Sequence, residues 1–125
     1  MNDTHDTLYK EHILELYRNP ENYRPLLNST HTYREHNPLC GDDLTLYLII
    51  KDATIIDASF TGEGCAISKA SASLLTEHLK NKTIADLRAL THQHVQDILG
   101  VQLGPVRLKC ALLPLAAAQH ALEAP

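Results

Sequence analysis

The fold is decided by residues 43–51, DLTLYLIIK, and residues 53–60, ATIIDASF. In the first segment, leucine and isoleucine at every second position alternate with Thr45 and Tyr47, which is the period of a strand with one buried face. The second segment is rich in residues that favour β-structure. Because only a short polar turn at Lys51-Asp52 connects the two segments, we expect an antiparallel hairpin.

A helix and a polar segment precede the hairpin. Residues 6–18 place apolar side chains at near-helical spacing, and Asp6 or Thr7 can cap the start of this helix. The Asn19-Pro20 pair ends it, because the residue before a proline avoids helical backbone. Residues 31–36 are short and polar, and we interpret them as an edge strand.

Glycines and then helical periodicity follow the hairpin. Gly62 and Gly64 are expected to break the second strand before Cys65. Residues 66–80 follow helical spacing, and a further helix begins at a threonine cap and continues or restarts before Gly100. Helices after strands predict the α+β class.

The last helix contains Pro114, whose ring would clash with the carbonyl of the residue four positions earlier. Proline is tolerated in the first turn of a helix. We therefore expect this helix to begin near residues 110–114, with a turn at Gly104-Pro105 before it.

Composition is that of an ordinary globular protein, with 125 residues, 44% hydrophobic residues and a net charge of −4. Residues 1–125 are expected to form a single domain. The absence of a basic excess argues against nucleic acid as the main partner, and no segment is apolar enough to span a membrane. We expect a cytoplasmic protein whose three cysteines are reduced, since an odd number cannot all pair within one chain.

The cysteines predict a composite site. Cys40 enters the first hairpin strand and Cys65 leaves the second, so the two thiols share one end of the hairpin. Asp42 adds a carboxylate beside Cys40. Cys110 would have to be brought there by tertiary packing, which the sequence does not show; with it, these residues would make four ligands, enough for tetrahedral zinc or for a two-iron cluster. Burial of the thiols as small core residues is the alternative.

Local charge favours the thiolate form that binds metal and attacks sulfur. Cys65 and Cys110 are both expected at helix N-termini, where the helix dipole stabilises negative charge. Arg107 and Lys109 add positive charge beside Cys110, although both could equally be ordinary solvated residues.

Other ligands remain open in the sequence. His31 and His36 lie near Cys40 along the chain and could supply an imidazole, and Asp43 could replace its neighbour as the carboxylate ligand. If Asp43 opens a strand, however, its side chain points to the opposite face. His92 and His94 point apart on a helix and are expected on the surface.

Three motifs carry a resemblance to a known family. They are residues 37–42 (NPLCGD), residues 62–68 (GEGCAIS, followed by ASAS at 70–73) and residues 107–110 (RLKC). In this order they resemble the IscU/SufU family of iron–sulfur cluster assembly proteins, which is related to the N-terminal domain of NifU. The resemblance covers nearly the whole chain. It implies an N-terminal helix, a three-stranded antiparallel sheet and C-terminal helices packed on it.

The same resemblance implies a function and a partner. The metal or cluster ligands would be Cys40, Asp42, Cys65 and Cys110. A pyridoxal-phosphate cysteine desulfurase would deliver persulfide sulfur, with Cys40 and Cys110 as candidate acceptors. The protein would assemble a [2Fe–2S] cluster, or hold its iron, for transfer to acceptor apoproteins or downstream carriers. The alternative is a zinc-dependent sulfurtransferase that uses the same residues.

Features of both branches of the family are present. The IscU branch has a histidine immediately before the third cysteine, whereas this chain has Lys109, as in the SufU branch. The insertion typical of SufU proteins before the third motif is missing. Residues 103–107 (LGPVR) differ from the loop that an Hsp70 chaperone recognises in IscU proteins, because Gly104 replaces a proline. This difference argues against chaperone recognition.

Overall fold

The computed structural model describes residues 3–38 and 41–123, so Cys40 lies outside the described residues. Helices and strands follow one another in the order expected for the α+β class. They are α1 (Asp3–Arg18), β1 (His31–Asn37), β2 (Asp42–Lys51), β3 (Thr54–Glu63), α2 (Ala66–Leu79), α3 (Ile84–Ala89), α4 (His92–Leu99) and α5 (Pro105–Glu123).

The three strands form an antiparallel sheet in the order β1-β2-β3, which confirms the hairpin and the edge strand. Alternation along β2 sends Leu44, Leu46 and Leu48 into the core, where each is completely buried. The register places Asn37 opposite Asp42. The amino end of β2 therefore lies beside the carboxyl ends of β1 and β3.

Strand β3 is longer than expected, because Gly62 does not end it. Gly62 has φ +129°, and a Cβ at this position would lie 2.1 Å from the carbonyl oxygen of Asp43 on the neighbouring strand. The missing side chain lets the two backbones approach closely. Pairing therefore continues to Glu63, which lies opposite Asp43.

Helices α2 and α5 pack against one another and cover the apolar face of the sheet. The expected start of α5 at residues 110–114 is wrong, because the helix begins at Pro105 and contains Pro114 in its interior. Pro105 occupies the first helical position, where its missing N–H costs nothing. In the turn before Pro114, the carbonyl of Ala111 accepts a 2.6 Å hydrogen bond from the Ser71 hydroxyl of α2. Cys110 consequently lies in the second turn of α5 rather than at the amino end of the helix, where it was expected.

Two short helices connect α2 to α5, and each begins at a threonine. The Thr83 and Thr91 side chains accept hydrogen bonds from the backbone N–H three residues later, so the helical segment restarts at Thr91 rather than continuing. Gly100 ends α4 in the left-handed conformation, with φ +77°, as predicted.

Candidate metal site

Asp42 and Cys65 meet at one end of the hairpin. Asp42 is the first residue of β2 and is only 1% exposed, while Cys65 caps the amino end of α2. The Oδ1 atom of Asp42 accepts a 2.9 Å hydrogen bond from the backbone N–H of Cys65, and Oδ2 lies 3.8 Å from the Cys65 sulfur. One carboxylate oxygen thus fixes the backbone of the cysteine, and the other lies beside its sulfur. A carboxylate at a helix N-terminus is also favoured electrostatically.

Gly64 makes this close packing possible. A Cβ at Gly64 would lie 2.3 Å from the Ser68 hydroxyl and 3.2 Å from Oδ1 of Asp42. The space that it leaves is used by buried polar groups, since both Ser68 and Asp42 are almost completely inaccessible to solvent. Sequence reasoning assigned Gly64 to breaking the strand. It did not anticipate that this glycine makes room for the two groups beside Cys65.

Cys110 joins the site from α5. One carboxylate oxygen of Asp42 and the sulfur atoms of Cys65 and Cys110 all lie within 4.8 Å of one another. Cys110 is 5% exposed, whereas Cys65 is exposed to solvent. The helix dipole is a weaker stabiliser of a Cys110 thiolate than expected, because its effect is confined to the first turn. For Cys65, the predicted position at the start of a helix is confirmed.

The donor set fits a transition metal. Two thiol sulfurs and a carboxylate oxygen are the ligand types that zinc accepts, and thiolates are the usual protein ligands of iron in clusters. Three of the four predicted ligands are therefore brought together. The fourth, Cys40, lies outside the described residues and remains a prediction.

Asp43 does not join this group. It forms a two-pronged ion pair with Arg34 on β1, and the hydrogen bonds from Arg34 lower the pKa of the Asp43 carboxyl. His36 lies on the same side, with Nδ1 4.0 Å from the Asp43 carboxylate. Asp42 points to the opposite, buried face, as strand alternation requires.

The other histidines considered as ligands, His31, His92 and His94, also lie elsewhere. His31 pairs with Leu48, six residues along β1 from the end that lies beside Asp42, which corresponds to about 20 Å of strand. His31 therefore cannot supply an imidazole ligand to the site in this arrangement. His92 and His94 are exposed as predicted, and Nδ1 of His94 accepts from the Thr91 backbone N–H.

A groove opens beside the two thiols. Its volume is about 880 Å³, and its walls come from α1, the start of α2, the α4–α5 loop and α5. Among the described lining residues, the charged ones are both cationic: Lys10 and Arg107. Other lining residues are mainly apolar, and they are Ile13, Leu14, Cys65, Ala66, Ile67, Gly100, Val101, Gln102, Leu103 and Cys110. Lys109 is exposed and does not line the groove.

Comparison with known proteins decides the family. Residues 8–124 match the family model described as the NifU-like N terminal domain. The chain belongs to this family. The resemblance inferred from the three motifs is thereby confirmed, and it extends from residue 8 within α1 to the end of α5 at Glu123, including the helices that carry no motif.

Relatives of the NifU-like domain include proteins of both branches. The chain is 34% identical to the zinc-dependent sulfurtransferase SufU of Bacillus subtilis, over 86% of this chain and 84% of that protein. It is 31% identical to the iron–sulfur cluster assembly scaffold protein IscU of Thermotoga maritima, over 93% of each. The crystal structure of the SUF-system protein FiSufU from Fervidobacterium islandicum superposes with a TM-score of 0.77 and 26% identity, over 90% of this chain and 94% of that one.

None of the described helices of this chain is both long and apolar enough to cross a bilayer.

Proposed function

We propose that this protein accepts sulfur from a cysteine desulfurase and assembles an iron–sulfur cluster on Cys40, Asp42, Cys65 and Cys110, for transfer to acceptor proteins. The observation that carries the proposal is the convergence of the Asp42 carboxylate and the Cys65 and Cys110 sulfurs within 4.8 Å. Relatives named as cluster assembly scaffolds support it. We also propose that residues 1–125 act as one domain.

Sulfur transfer follows from the chemistry of the thiols. A site thiolate attacks the outer sulfur of the desulfurase persulfide, a new S–S bond forms, and the desulfurase cysteine leaves as a thiolate. Cys40 and Cys110 are the proposed acceptors. Cys110 lines the groove, so sulfur carried on it would extend toward solvent. No net oxidation or reduction occurs in this exchange.

Asp42 keeps the acceptor site organised while iron and sulfur arrive. Its hydrogen bond to the Cys65 N–H fixes the direction from which the carboxylate faces the two sulfurs. Iron enters as substrate and is held by these side chains. Because the carboxylate is a weaker ligand for iron than a thiolate, it is the position from which a finished cluster is most easily released.

The groove is the proposed approach for the desulfurase. Its apolar walls would bury the segment that carries the persulfide, and Lys10 and Arg107 would attract negative charge on that segment. The groove reaches both described thiols, so an extended segment can deliver sulfur without unfolding the site.

A zinc-dependent sulfurtransferase is the second candidate. Lysine rather than histidine stands at position 109, so this position supplies no imidazole ligand, and the 34% identical relative carries this activity in its name. Zinc on the same four residues would keep the cysteines deprotonated and able to attack sulfur. The residues that hold the metal and their hydrogen bonds are the same in both proposals.

Metal analysis of anaerobically purified protein tests the proposal. Purified protein is analysed for zinc, iron and acid-labile sulfide before and after reaction with a desulfurase, cysteine, ferrous iron and a thiol reductant, which supplies the electrons that convert persulfide sulfur to sulfide. Labile sulfide with iron supports the scaffold, and one zinc per chain that persists through the reaction supports the sulfurtransferase. If neither metal binds, both proposals fail.

Asp42→Asn and Asp43→Asn form a matched pair for the ligand assignment. The two residues are neighbours in sequence, but only Asp42 faces the sulfurs. We expect Asp42→Asn to weaken zinc binding at least tenfold in competition with a chromophoric chelator. Asp43→Asn should leave the affinity within about twofold of the wild type. Equal losses in both variants would contradict the assignment.

A further inference from the structure

Ser68 lies beside the Cys65 sulfur and has no role in the function proposed above. It is completely buried one turn into α2, and its Oγ is 3.7 Å from the Cys65 Sγ. Its hydroxyl donates a 3.1 Å hydrogen bond to the Cys65 carbonyl. The same hydroxyl oxygen can therefore accept from the Cys65 thiol while it donates to the backbone of that residue.

The direction of this hydrogen bond must change when the Cys65 sulfur binds a metal. A metal-bound thiolate can only accept a hydrogen bond. Rotation of the Ser68 O–H bond turns the proton from the carbonyl to the sulfur without moving a heavy atom. Building on the proposed function, we propose that Ser68 is a positioning residue that donates a hydrogen bond to the metal-bound Cys65 sulfur and tunes its donor strength.

Gly64 leaves the space that the Ser68 hydroxyl occupies beside the Cys65 sulfur. A Cβ at position 64 would lie 2.3 Å from Oγ of Ser68, so any larger residue would displace the hydroxyl. The glycine has no left-handed φ that would require it for backbone reasons. The limited space beside the sulfur, rather than the backbone conformation, therefore favours glycine at this position.

A hydrogen bond to a metal-bound sulfur withdraws electron density from it. Such contacts set the orientation of the ligand and the reduction potential of clusters. In this site the hydroxyl comes from the same helix that Cys65 caps, so the donor and the sulfur keep a fixed distance. We expect loss of this donor to make the Cys65 sulfur more electron-rich.

Cobalt substitution provides a readout that is independent of activity. The full-length protein is freed of metal, titrated anaerobically with Co²⁺, and its sulfur-to-cobalt charge-transfer band is recorded. We expect Ser68→Ala to bind one Co²⁺ per chain, as the wild type does, with the charge-transfer band at lower energy.

Ser73→Ala is the matched control. Ser73 is equally buried on the same helix, but its hydroxyl accepts from the backbone N–H of Glu21 and is not among the partners of Cys65. The charge-transfer band of Ser73→Ala should coincide with that of the wild type. An unshifted band in Ser68→Ala would overturn the inference about Ser68, as would an equal shift in Ser73→Ala. If wild-type protein shows no charge-transfer band at all, the proposed metal site itself is wrong.

Discussion

Substitution of Gly62 by alanine should destabilise the hairpin end that carries the site. Gly62 has φ +129°, a region that side chains rarely adopt. An added Cβ would lie 2.1 Å from the carbonyl oxygen of Asp43 and 2.9 Å from the Cα of Leu44, and both are backbone atoms that cannot rotate away. Strands β2 and β3 must therefore separate at this point.

The expected cost follows from two contributions. Holding alanine in this backbone region costs about 1–3 kcal/mol. Relieving the overlap with the neighbouring strand costs about 1–3 kcal/mol more. We therefore expect Gly62→Ala to lower the free energy of unfolding by about 4 kcal/mol. Proteins of this length typically have a free energy of unfolding of about 6–19 kcal/mol, so the change is a substantial fraction of the stability.

Urea denaturation of the metal-free, reduced protein measures the change, with far-ultraviolet circular dichroism as the signal. Gly104→Ala is the control, because a Cβ there has no neighbour within 4 Å and the residue has no left-handed φ. It should leave the stability within about 1 kcal/mol, because restriction of the unfolded chain offsets the weaker preference for alanine at the helix N-cap. A loss below about 1 kcal/mol in Gly62→Ala would refute the reasoning about close strand approach.

Two further predictions concern the frame around the site. The ammonium of Lys69 lies 5.3 Å from the ring centre of Tyr17 and 5.1 Å from that of Tyr23. Lys69→Met should therefore lower the free energy of unfolding by about 1 kcal/mol in thermal melts, with less loss in Lys69→Arg. Hydrogen bonds from the backbone N–H and the hydroxyl of Thr83 lower the pKa of the Asp86 carboxyl. Its contribution is present above the unfolded-state pKa near 3.8 and is lost as pH falls through the lower folded value. The stability difference between the wild type and Asp86→Asn should be constant from pH 7 to pH 5 and shrink below pH 4, and a gap that widens in acid would contradict this sign.

The hairpin could be predicted because its signal is local. Alternation along β2 specifies which face is buried, and a short turn leaves antiparallel pairing as the simplest connection. The same logic placed Asp42 near Cys65, since Asp42 begins β2 and Cys65 follows the end of the neighbouring strand β3. Where β3 ends could not be predicted, because a glycine that breaks a strand and one that permits close pairing look identical in sequence. The two cases are distinguished only by the close approach of the Asp43 carbonyl oxygen to Gly62.

The start of α5 was mispredicted for a related reason. Both Pro105 and Pro114 are compatible with the first turn of a helix, and the sequence does not say which one occupies it. The structure selects Pro105, and Pro114 is tolerated inside the helix, where α5 packs closely on α2. The position of Cys110 in the site follows from this packing. It was supported in sequence only by the family resemblance, because no local pattern encodes a contact between residues 45 positions apart.

Metal binding and folding should be coupled in this arrangement. The site joins a strand end, a helix cap and the second turn of another helix, so its three described ligands come from three separate elements. Before metal arrives, the buried Asp42 carboxylate is stabilised in part by the N–H of Cys65, whose position depends on α2. Motion of α2 away from the hairpin would expose this carboxylate and, at the same time, would separate the ligands from one another. A metal that binds only the assembled ligands would stabilise the packing of α2 on the sheet. In the proposed function, release of the cluster would be favoured by the same motion that breaks the hydrogen bond between Asp42 and Cys65.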